Sequence, residues 1–265
     1  QRCPRSWSAR APEGLARCLQ AQKPDPSRMV HCCKVTDAKH CIVGDERADV
    51  LAPELPGLPF GQGHGSCFWM KDAVDRKAPD WAMDASQAMQ GHADLGLPET
   101  PGILAGDVAL YIFTSGTTGL PKAATYKHQR LVTAANLLGK LTLRPKPGDR
   151  LYLCLPIYHI TGLGPGLCGF IAAGGTVCLR RTFSAGKFWS EVQAWQTNSF
   201  VYVGELCRYL VTQAPTDAEK NTPLQKMVGN GLRPDVWDEF KSRFDVDRIC
   251  EVYGSSEGNV TFLNL

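Results

Sequence analysis

The residues best suited to chemistry lie in one run, YIFTSGTTGLPK, at positions 111–122. A β-rich start leads into hydroxyl side chains, glycines and a lysine. Glycines let backbone N–H groups close around phosphate oxygens, while hydroxyls add hydrogen bonds and a lysine adds positive charge. The pattern therefore predicts a phosphate-binding loop and not a plain polar turn, with these candidate residues: Tyr111, Thr114, Ser115, Gly116, Thr117, Thr118, Gly119 and Lys122.

This loop differs from the Walker A loop of P-loop nucleotide hydrolases. The Walker pattern places its lysine directly after the second glycine and a Ser or Thr after that lysine. Here Gly116 and Gly119 are too close together, and Pro121 precedes Lys122. The sequence therefore disfavours a generic P-loop nucleotide hydrolase.

Three further segments place polar groups directly after β-rich runs. They are PIYH at 156–159, GNG at 229–231 and YGSSE at 253–257. Glycines after a strand permit the backbone to approach a flat base closely. Taken alone, His159 would more often be a packing residue and Glu257 a loop carboxylate without a role. The segments supply the candidates His159, Gly229, Asn230, Gly231, Tyr253, Gly254, Ser255, Ser256 and Glu257.

The elements that must hold these residues alternate between strands and helices. Ser184 is a predicted N-cap, followed by Phe188, Val192 and Trp195 at helical spacing. Pro234 suits a first helical turn, with Trp237, Phe240 and Phe244 on one face. The predicted strands cover 109–114, 151–155, 176–179, 199–203, 226–228 and 249–253. This alternation predicts an α/β fold, a mostly parallel sheet layered with helices, with ligands at the carboxyl ends of its strands.

The chain falls into three zones. Residues 1–28 are basic and proline-rich, and we expect a poorly ordered leader there. Residues 29–106 predict a partial α/β subdomain: a helix and a strand ending at Gly44, then a loop-rich connection with one or two short helices. Residues 107–265 form the predicted α/β core.

Composition excludes several classes of protein. The chain has 265 residues and a net charge of +3, which is too small to indicate a nucleic-acid partner. The 11 cysteines show no metal-ligand spacing, so we expect mostly buried thiols in a reducing compartment. Residues 160–179 carry no charge, but their glycines and Pro165 favour a short buried helix and a strand over a membrane span.

The run at 111–122 resembles the phosphate loop of the adenylate-forming superfamily, which includes acyl-CoA synthetases and peptide-synthetase adenylation domains. YGSSE resembles that family's Y-G-x-T-E segment, with Ser256 in place of the usual threonine. The resemblance implies that the 111–122 loop handles the β- and γ-phosphates of ATP and that Tyr253 stacks on adenine. It further implies that Ser256 lies near the α-phosphate and that Glu257 holds Mg²⁺.

The same resemblance assigns roles to the remaining segments. His159 would border the point where the substrate carboxylate meets the α-phosphate, and the 229–231 glycines would contact adenine. The segments around 31–44, 181–185, 203–210 and 229–233 look like the fatty-acid transport protein and very-long-chain acyl-CoA synthetase branch. There Gly204 and Glu205 would help to wall the acyl tunnel, whereas Glu205 and Arg208 could equally form a charge pair at a helix start.

The resemblance implies ATP-dependent activation of a long- or very-long-chain fatty acid to acyl-CoA through an acyl-adenylate, coupled to fatty-acid uptake. Coenzyme A is the expected co-substrate, with Lys122, His159 and Glu257 as catalytic residues. We expect membrane association with the catalytic part facing the cytosol. The alternatives are a ligase for another carboxylic acid, or a catalytically incomplete nucleotide-binding fragment. In the family, a ribose-binding aspartate and a C-terminal lid domain follow the segment that ends here at Leu265, so we expect the chain alone not to complete thioester formation.

Overall fold

The computed structural model describes residues 26–59, 65–72, 76–90, 102–114, 119–258 and 260–265. Most of the expected leader and the loop candidates Ser115, Gly116, Thr117 and Thr118 lie outside these described residues. The chain divides into two compact units, one ending at His128 and one beginning at Gln129. The expected start of the nucleotide-binding core, residue 107, therefore falls inside the first unit.

The first unit contains a small parallel sheet between short helices. Three strands, β1 (Cys41–Gly44), β2 (Cys67–Met70) and β3 (Met83–Asp84), pair in parallel in that order. The helices are α1 (Pro26–Val35), α2 (Asp45–Leu51), a 3₁₀ helix (Ala52–Gly57) and α3 (Ala85–Met89). Acidic side chains stabilise the first turns of two of these helices. Asp45 and Glu46 lie in the first turn of α2. The Asp84 carboxylate accepts hydrogen bonds from the Ser86 and Gln87 N–H groups at the start of α3.

The prediction for residues 29–106 was only partly right. The helix and the strand ending at Gly44 are present, although α1 starts at Pro26 inside the expected leader. The expected loop-rich connection also contains β2, whose Trp69 is fully buried in a core with Leu51 and Cys67. Strand β2 has four residues and follows the glycine- and proline-rich stretch 53–65, whose composition is typical of a loop.

A hairpin completes the first unit. Strands β4 (Val108–Thr114) and β5 (Lys122–Lys127) pair antiparallel, with Thr114 opposite Lys122. We expected the first of these strands to join a parallel sheet with the later strands, and that expectation was wrong. The pair forms a separate two-stranded sheet, because the connecting loop is short enough to return the chain beside itself.

The second unit is built around a six-stranded sheet of order β11-β10-β9-β8-β6-β7. Its strands are β6 (Arg150–Leu153), β7 (Thr176–Leu179), β8 (Ser199–Val203), β9 (Lys226–Asn230), β10 (Arg248–Tyr253) and β11 (Phe262–Asn264). All neighbours pair in parallel except β11, which runs antiparallel to β10. The predicted α/β fold with a mostly parallel sheet is confirmed, and the predicted strands after residue 150 agree with the observed ones to within two residues.

Helices separate these strands along the chain. They are α4 (His128–Thr133), a π-helix (Ala134–Leu138) leading into α5 (Gly139–Leu141), a second π-helix (Gly162–Cys168) leading into α6 (Gly169–Ala172), α7 (Ala185–Trp195), α8 (Gly204–Val211), a 3₁₀ turn (Asp217–Glu219) and α9 (Pro234–Phe244). Ser184 precedes α7 as predicted, but its side chain makes no capping hydrogen bond. Residues 160–179 form the second π-helix segment, α6 and β7, and within the described residues we find no helix long and apolar enough to cross a membrane.

Alternating strand residues fill two cores on opposite faces of the sheet. Tyr152, Phe200, Tyr202 and Met227 join Phe188 of α7 and Phe240 of α9 in one core. Leu151, Leu153, Val201, Val228 and Cys250 join Phe170 of α6 in the other. Because the central strands β6, β8 and β9 bury both faces, few polar side chains lie in the middle of the sheet.

The expectation of mostly buried thiols is met by five of the nine described cysteines. No disulfide joins the cysteines within the described segments of the chain. Cys207 and Cys250 are buried, whereas Cys154, Cys168 and Cys178 are half-buried. Burial raises the pKa of the Cys154 thiol to about 12, so this residue remains a neutral packing group at physiological pH.

The ends of β8 and β9 pass very close to each other. A Cβ added at Gly204 would lie 1.9 Å from the Gly231 carbonyl oxygen, and Gly231 has a positive φ of 74°. Both positions therefore need glycine, one for space and the other for its backbone conformation. The two loops that begin here cannot separate without disturbing the sheet.

We predict that Gly204→Ala destabilises the second unit by about 1–3 kcal/mol or more, because the new methyl group meets backbone and not a flexible side chain. Urea denaturation measures this change. Gly186→Ala is the matched control, since nothing lies within 4 Å of a Cβ at Gly186 in α7. Alanine should stabilise that helix by up to about 1 kcal/mol. Equal effects of the two substitutions would contradict the close approach.

Candidate functional site

The second unit brings most of the predicted site residues to one edge of its sheet. His159 follows β6, Gly204 and Glu205 follow β8, Gly231 follows β9, and the 254–257 loop follows β10. These four strands are neighbours in the sheet and run parallel. Their carboxyl ends therefore meet at the same edge, where open α/β sheets bind ligands.

The predicted phosphate loop belongs to the first unit and joins β4 to β5. Gly119, at a φ of 128°, adopts a conformation that only glycine takes readily, and Lys122 begins β5 with an exposed side chain. The end of the loop is anchored, because His31 Nε2 donates a hydrogen bond of 3.0 Å to the Pro121 carbonyl oxygen. Tyr111 lies opposite Thr125, in the interior of the hairpin and away from the loop, so its nucleotide contact stays a prediction.

The glycine segment after β9 is held by a residue that the sequence reading missed. Glu251 in β10 accepts a hydrogen bond of 3.0 Å from the Gly231 N–H and one of 3.1 Å from the Leu232 N–H. It also accepts a bond of 2.7 Å from the Tyr202 hydroxyl of β8. Burial and the Glu251 carboxylate raise the pKa of Tyr202, so this phenol remains a donor. The available signal was a charged residue inside the otherwise apolar run ICEVY.

The YGSSE segment lies at the exposed end of β10. Tyr253 is 77% exposed, with its ring centroid 6.3 Å from that of Phe262 on β11. An exposed aromatic face of this kind is suited to stacking on a flat base. Glu257 is also exposed, and Ser256 is half-buried.

A second missed residue supports the loop that carries Glu257. The Arg130 guanidinium of α4 donates hydrogen bonds to the Ser256 carbonyl oxygen, at 2.9 Å, and to the Gly258 carbonyl oxygen. One cation therefore fixes the backbone on both sides of Glu257. No motif marks Arg130 in the sequence, because its partners lie more than 120 residues away.

His159 lies in the turn after β6. Its Nδ1 accepts a hydrogen bond of 3.4 Å from the Thr161 N–H, which leaves Nε2 to carry the ring proton. The residue is exposed, but partial desolvation by its surroundings lowers the pKa of the imidazole below its usual 6.5. His159 is therefore neutral at physiological pH and can donate from Nε2.

Glu205 is engaged in a local charge pair. Arg208, one turn further along α8, donates from Nε to Glu205 Oε1 at 2.7 Å. This hydrogen bond lowers the pKa of the exposed Glu205 carboxylate. The structure thus contains the charge pair that was the alternative reading of these two residues, whereas a part in an acyl tunnel stays a prediction.

We predict that His159 makes folding stability depend on pH. The unfolded imidazole binds protons more readily than the folded one, so the free energy of unfolding falls as pH drops from 6.5 toward the folded pKa. Urea denaturation of wild type and His159→Gln across this range measures the effect, and NMR titration of the ring gives the pKa directly. Wild type should lose more stability on acidification than the variant. Parallel pH profiles, or a ring pKa above 6.5, would contradict the assignment.

The comparisons with known proteins identify the family of the chain. The sequence matches the family described as AMP-binding enzyme over residues 20–264. Long-chain fatty acid transport protein 1 of Bos taurus is 43% identical over 265 residues, covering 98% of this chain and 40% of that protein. Medium/long-chain-fatty-acid–CoA ligase FadD6 of Mycobacterium tuberculosis is 47% identical over 163 residues, covering 62% of this chain and 27% of that protein. The chain thus spans less than half the length of these relatives.

Solved structures share the fold. ATP-bound MatB from Rhodopseudomonas palustris superposes with a TM-score of 0.74 at 20% identity, covering 91% of this chain and 45% of that chain. The N-terminal domain of FACL13 from Mycobacterium tuberculosis gives a TM-score of 0.71 at 19% identity, covering 91% of this chain and 57% of that chain. The resemblance drawn from the sequence motifs is confirmed, and the protein belongs to the AMP-binding enzyme family.

Proposed function

We propose that the protein to which this chain belongs activates long- or very-long-chain fatty acids with ATP and transfers them to coenzyme A. The observation that carries this proposal is the set of loops at one edge of a parallel sheet, with His159, Gly231 and the YGSSE segment following neighbouring strands. The names of the relatives, fatty acid transport proteins and fatty-acid–CoA ligases, support the choice of substrate.

The reaction would proceed in two displacements. A carboxylate oxygen of the fatty acid bonds to the α-phosphorus of ATP, and the bond from that phosphorus to the leaving pyrophosphate breaks. The sulfur of coenzyme A then bonds to the acyl carbon, AMP leaves with the bonding electron pair, and the thiol proton passes to solvent. The protein contributes mainly by holding the reactants in line and stabilising negative charge on the phosphates.

The residues divide this work by position. Lys122 and the loop before it would bind the β- and γ-phosphates, and Tyr253 would stack on adenine beside the Gly229–Gly231 backbone. His159, neutral and with its proton on Nε2, would donate a hydrogen bond to an oxygen near the reacting carboxylate or α-phosphate. Ser256 would add a hydroxyl donor at the α-phosphate.

Glu257 fits a magnesium ion that is shared with the nucleotide. Among the described residues no three His, Cys, Asp or Glu side chains are grouped to hold a metal by themselves. Mg²⁺ commonly binds through one or two carboxylates together with substrate phosphates and water, so Glu257 alone would be an adequate protein donor. When bound, the ion would neutralise phosphate charge, and Arg130 would keep the Glu257 loop in place.

The membrane-related part of the proposal rests on the relatives. Their names connect long-chain fatty acids with transport, and we propose that the protein associates with a membrane, with its nucleotide site facing the cytosol, so that activation is coupled to uptake. A catalytically incomplete, nucleotide-binding fragment is the second candidate. Fatty-acid-dependent pyrophosphate release separates the two.

We predict that Lys122→Ala weakens binding of ATP and of tripolyphosphate to the chain by roughly ten- to a hundredfold, because a charged hydrogen bond to phosphate is lost. Isothermal titration calorimetry measures both ligands. In any longer protein that contains this chain, palmitate-dependent pyrophosphate release should fall by a similar factor. Lys127→Ala, at the far end of β5, is the control and should change neither. Wild-type affinity in Lys122→Ala would refute the phosphate-loop assignment.

We predict that Glu257→Gln raises the magnesium concentration needed for ATP binding, because the amide keeps the shape of the side chain but loses its charge. A magnesium titration of ATP affinity measures the shift, and high magnesium should restore part of the affinity. Glu239→Gln, an exposed carboxylate on α9, controls for the change in net charge. If Glu257→Gln follows the wild-type titration curve, Glu257 is not a ligand.

A further inference from the structure

One carboxylate ties together three neighbouring strands at the edge of the sheet where the site lies. Glu251 belongs to β10 and pairs in register with Gly229 of β9. Its two oxygens accept from the Gly231 and Leu232 N–H groups after β9, and Oε1 also accepts from Tyr202 of β8. Tyr202 is fully buried, so the carboxylate is fixed from the core side by a side chain that cannot move away.

These contacts determine which polar groups of the loop after β9, which contains Gly231 and Leu232, remain available to bind a ligand. Both successive N–H groups, at Gly231 and Leu232, point at Glu251 and are satisfied there. In a planar trans peptide the carbonyl points opposite to the N–H, so the two carbonyl groups of these peptides are turned away from Glu251. The Gly231 carbonyl accordingly faces Gly204, where an added Cβ would lie 1.9 Å from its oxygen.

A loop with its donors occupied discriminates between purine bases. Adenine carries an exocyclic amino group, which is a donor, whereas guanine and hypoxanthine carry a carbonyl oxygen at the same ring position, which is an acceptor. A loop that cannot give its N–H groups to that oxygen disfavours the oxo bases. Sites with fixed polar groups reject a mismatched analogue because a buried group is left unpaired.

We propose that Glu251 is a positioning residue that sets the preference for adenine over 6-oxopurines by holding the N–H groups of Gly231 and Leu232 away from the base. The inference rests on the proposed function, in which the Gly229–Gly231 segment contacts the base of ATP. Glu251 itself touches neither the phosphates nor the reacting atoms. Its loss changes base selectivity and leaves phosphate binding intact.

The test compares three ligands on wild type, Glu251→Gln and the control Glu239→Gln. ATP and inosine triphosphate differ only at the 6-position and its adjoining ring proton, and tripolyphosphate has no base. Calorimetry should show that wild type and Glu239→Gln prefer ATP to inosine triphosphate. Glu251→Gln, whose amide has only one acceptor oxygen, should lose roughly tenfold of that preference with unchanged tripolyphosphate affinity.

Two results would overturn the inference. One is a Glu251→Gln protein that weakens all three ligands equally, because that is what a purely structural role produces. The other is wild type that binds ATP and inosine triphosphate alike. If wild type binds tripolyphosphate as tightly as ATP, the phosphate loop is intact but there is no base site, and the inference is wrong. If wild type binds none of the three ligands, both the proposed function and this inference are wrong.

Tyr202→Phe keeps the test decisive if Glu251→Gln does not fold. This variant removes the hydroxyl that donates to Glu251 Oε1 and to the Cys250 carbonyl oxygen, and it leaves the two N–H contacts in place. It should reduce the preference for ATP over inosine triphosphate by a smaller factor, about two- to fivefold. An unchanged preference in folded Tyr202→Phe, with Glu251→Gln unfolded, would count against a positioning role.

Discussion

The parallel register of β6, β8, β9 and β10 is the constraint on which the rest of the structure depends. Parallel pairing sends each connection between these strands across a face of the sheet, so helices cover both faces and the strand residues are mostly apolar. It also gathers the carboxyl ends of all four strands at one edge. His159, Gly204, Gly231 and Tyr253 lie far apart in sequence, and they reach that edge because of this register.

A carboxylate stabilises each edge of the sheet, but the two carboxylates bind different kinds of partner. At the amino edge, Asp149 accepts hydrogen bonds from Lys226 at 2.5 Å and from Asn198 at 2.6 Å. Burial by itself raises the pKa of Asp149, but these bonds and one from the Lys146 N–H outweigh it and lower the pKa. This edge therefore contains an ion pair between Lys226 and Asp149. At the carboxyl edge, the donors to Glu251 among the described residues are neutral: two backbone N–H groups and the Tyr202 hydroxyl.

Much of the fold could be predicted from local patterns. The strands at 176–179 and 199–203 are short apolar runs with the observed bounds, and Pro234 marks the first turn of α9. Prediction failed where pairing is a matter of tertiary contact. Strand β4 looks like the later strands, yet it pairs antiparallel with β5. Strand β2 was missed because it follows a glycine- and proline-rich stretch that predicts a loop.

The sequence by itself determined the family and the types of chemical group that are available to bind a ligand. The 111–122 run and YGSSE have residue types and spacings that can be recognised without coordinates, because glycine, hydroxyl and carboxylate groups are needed in a fixed local order. Only the tertiary structure decided what holds those groups. Arg130 donates hydrogen bonds to the Ser256 and Gly258 carbonyl oxygens, and Glu251 accepts hydrogen bonds from the loop after β9. Arg130 has no local signature, and Glu251 has only that of a charged residue within the apolar run ICEVY. Neither pattern identifies the partners, because each side chain binds backbone groups that only folding brings near.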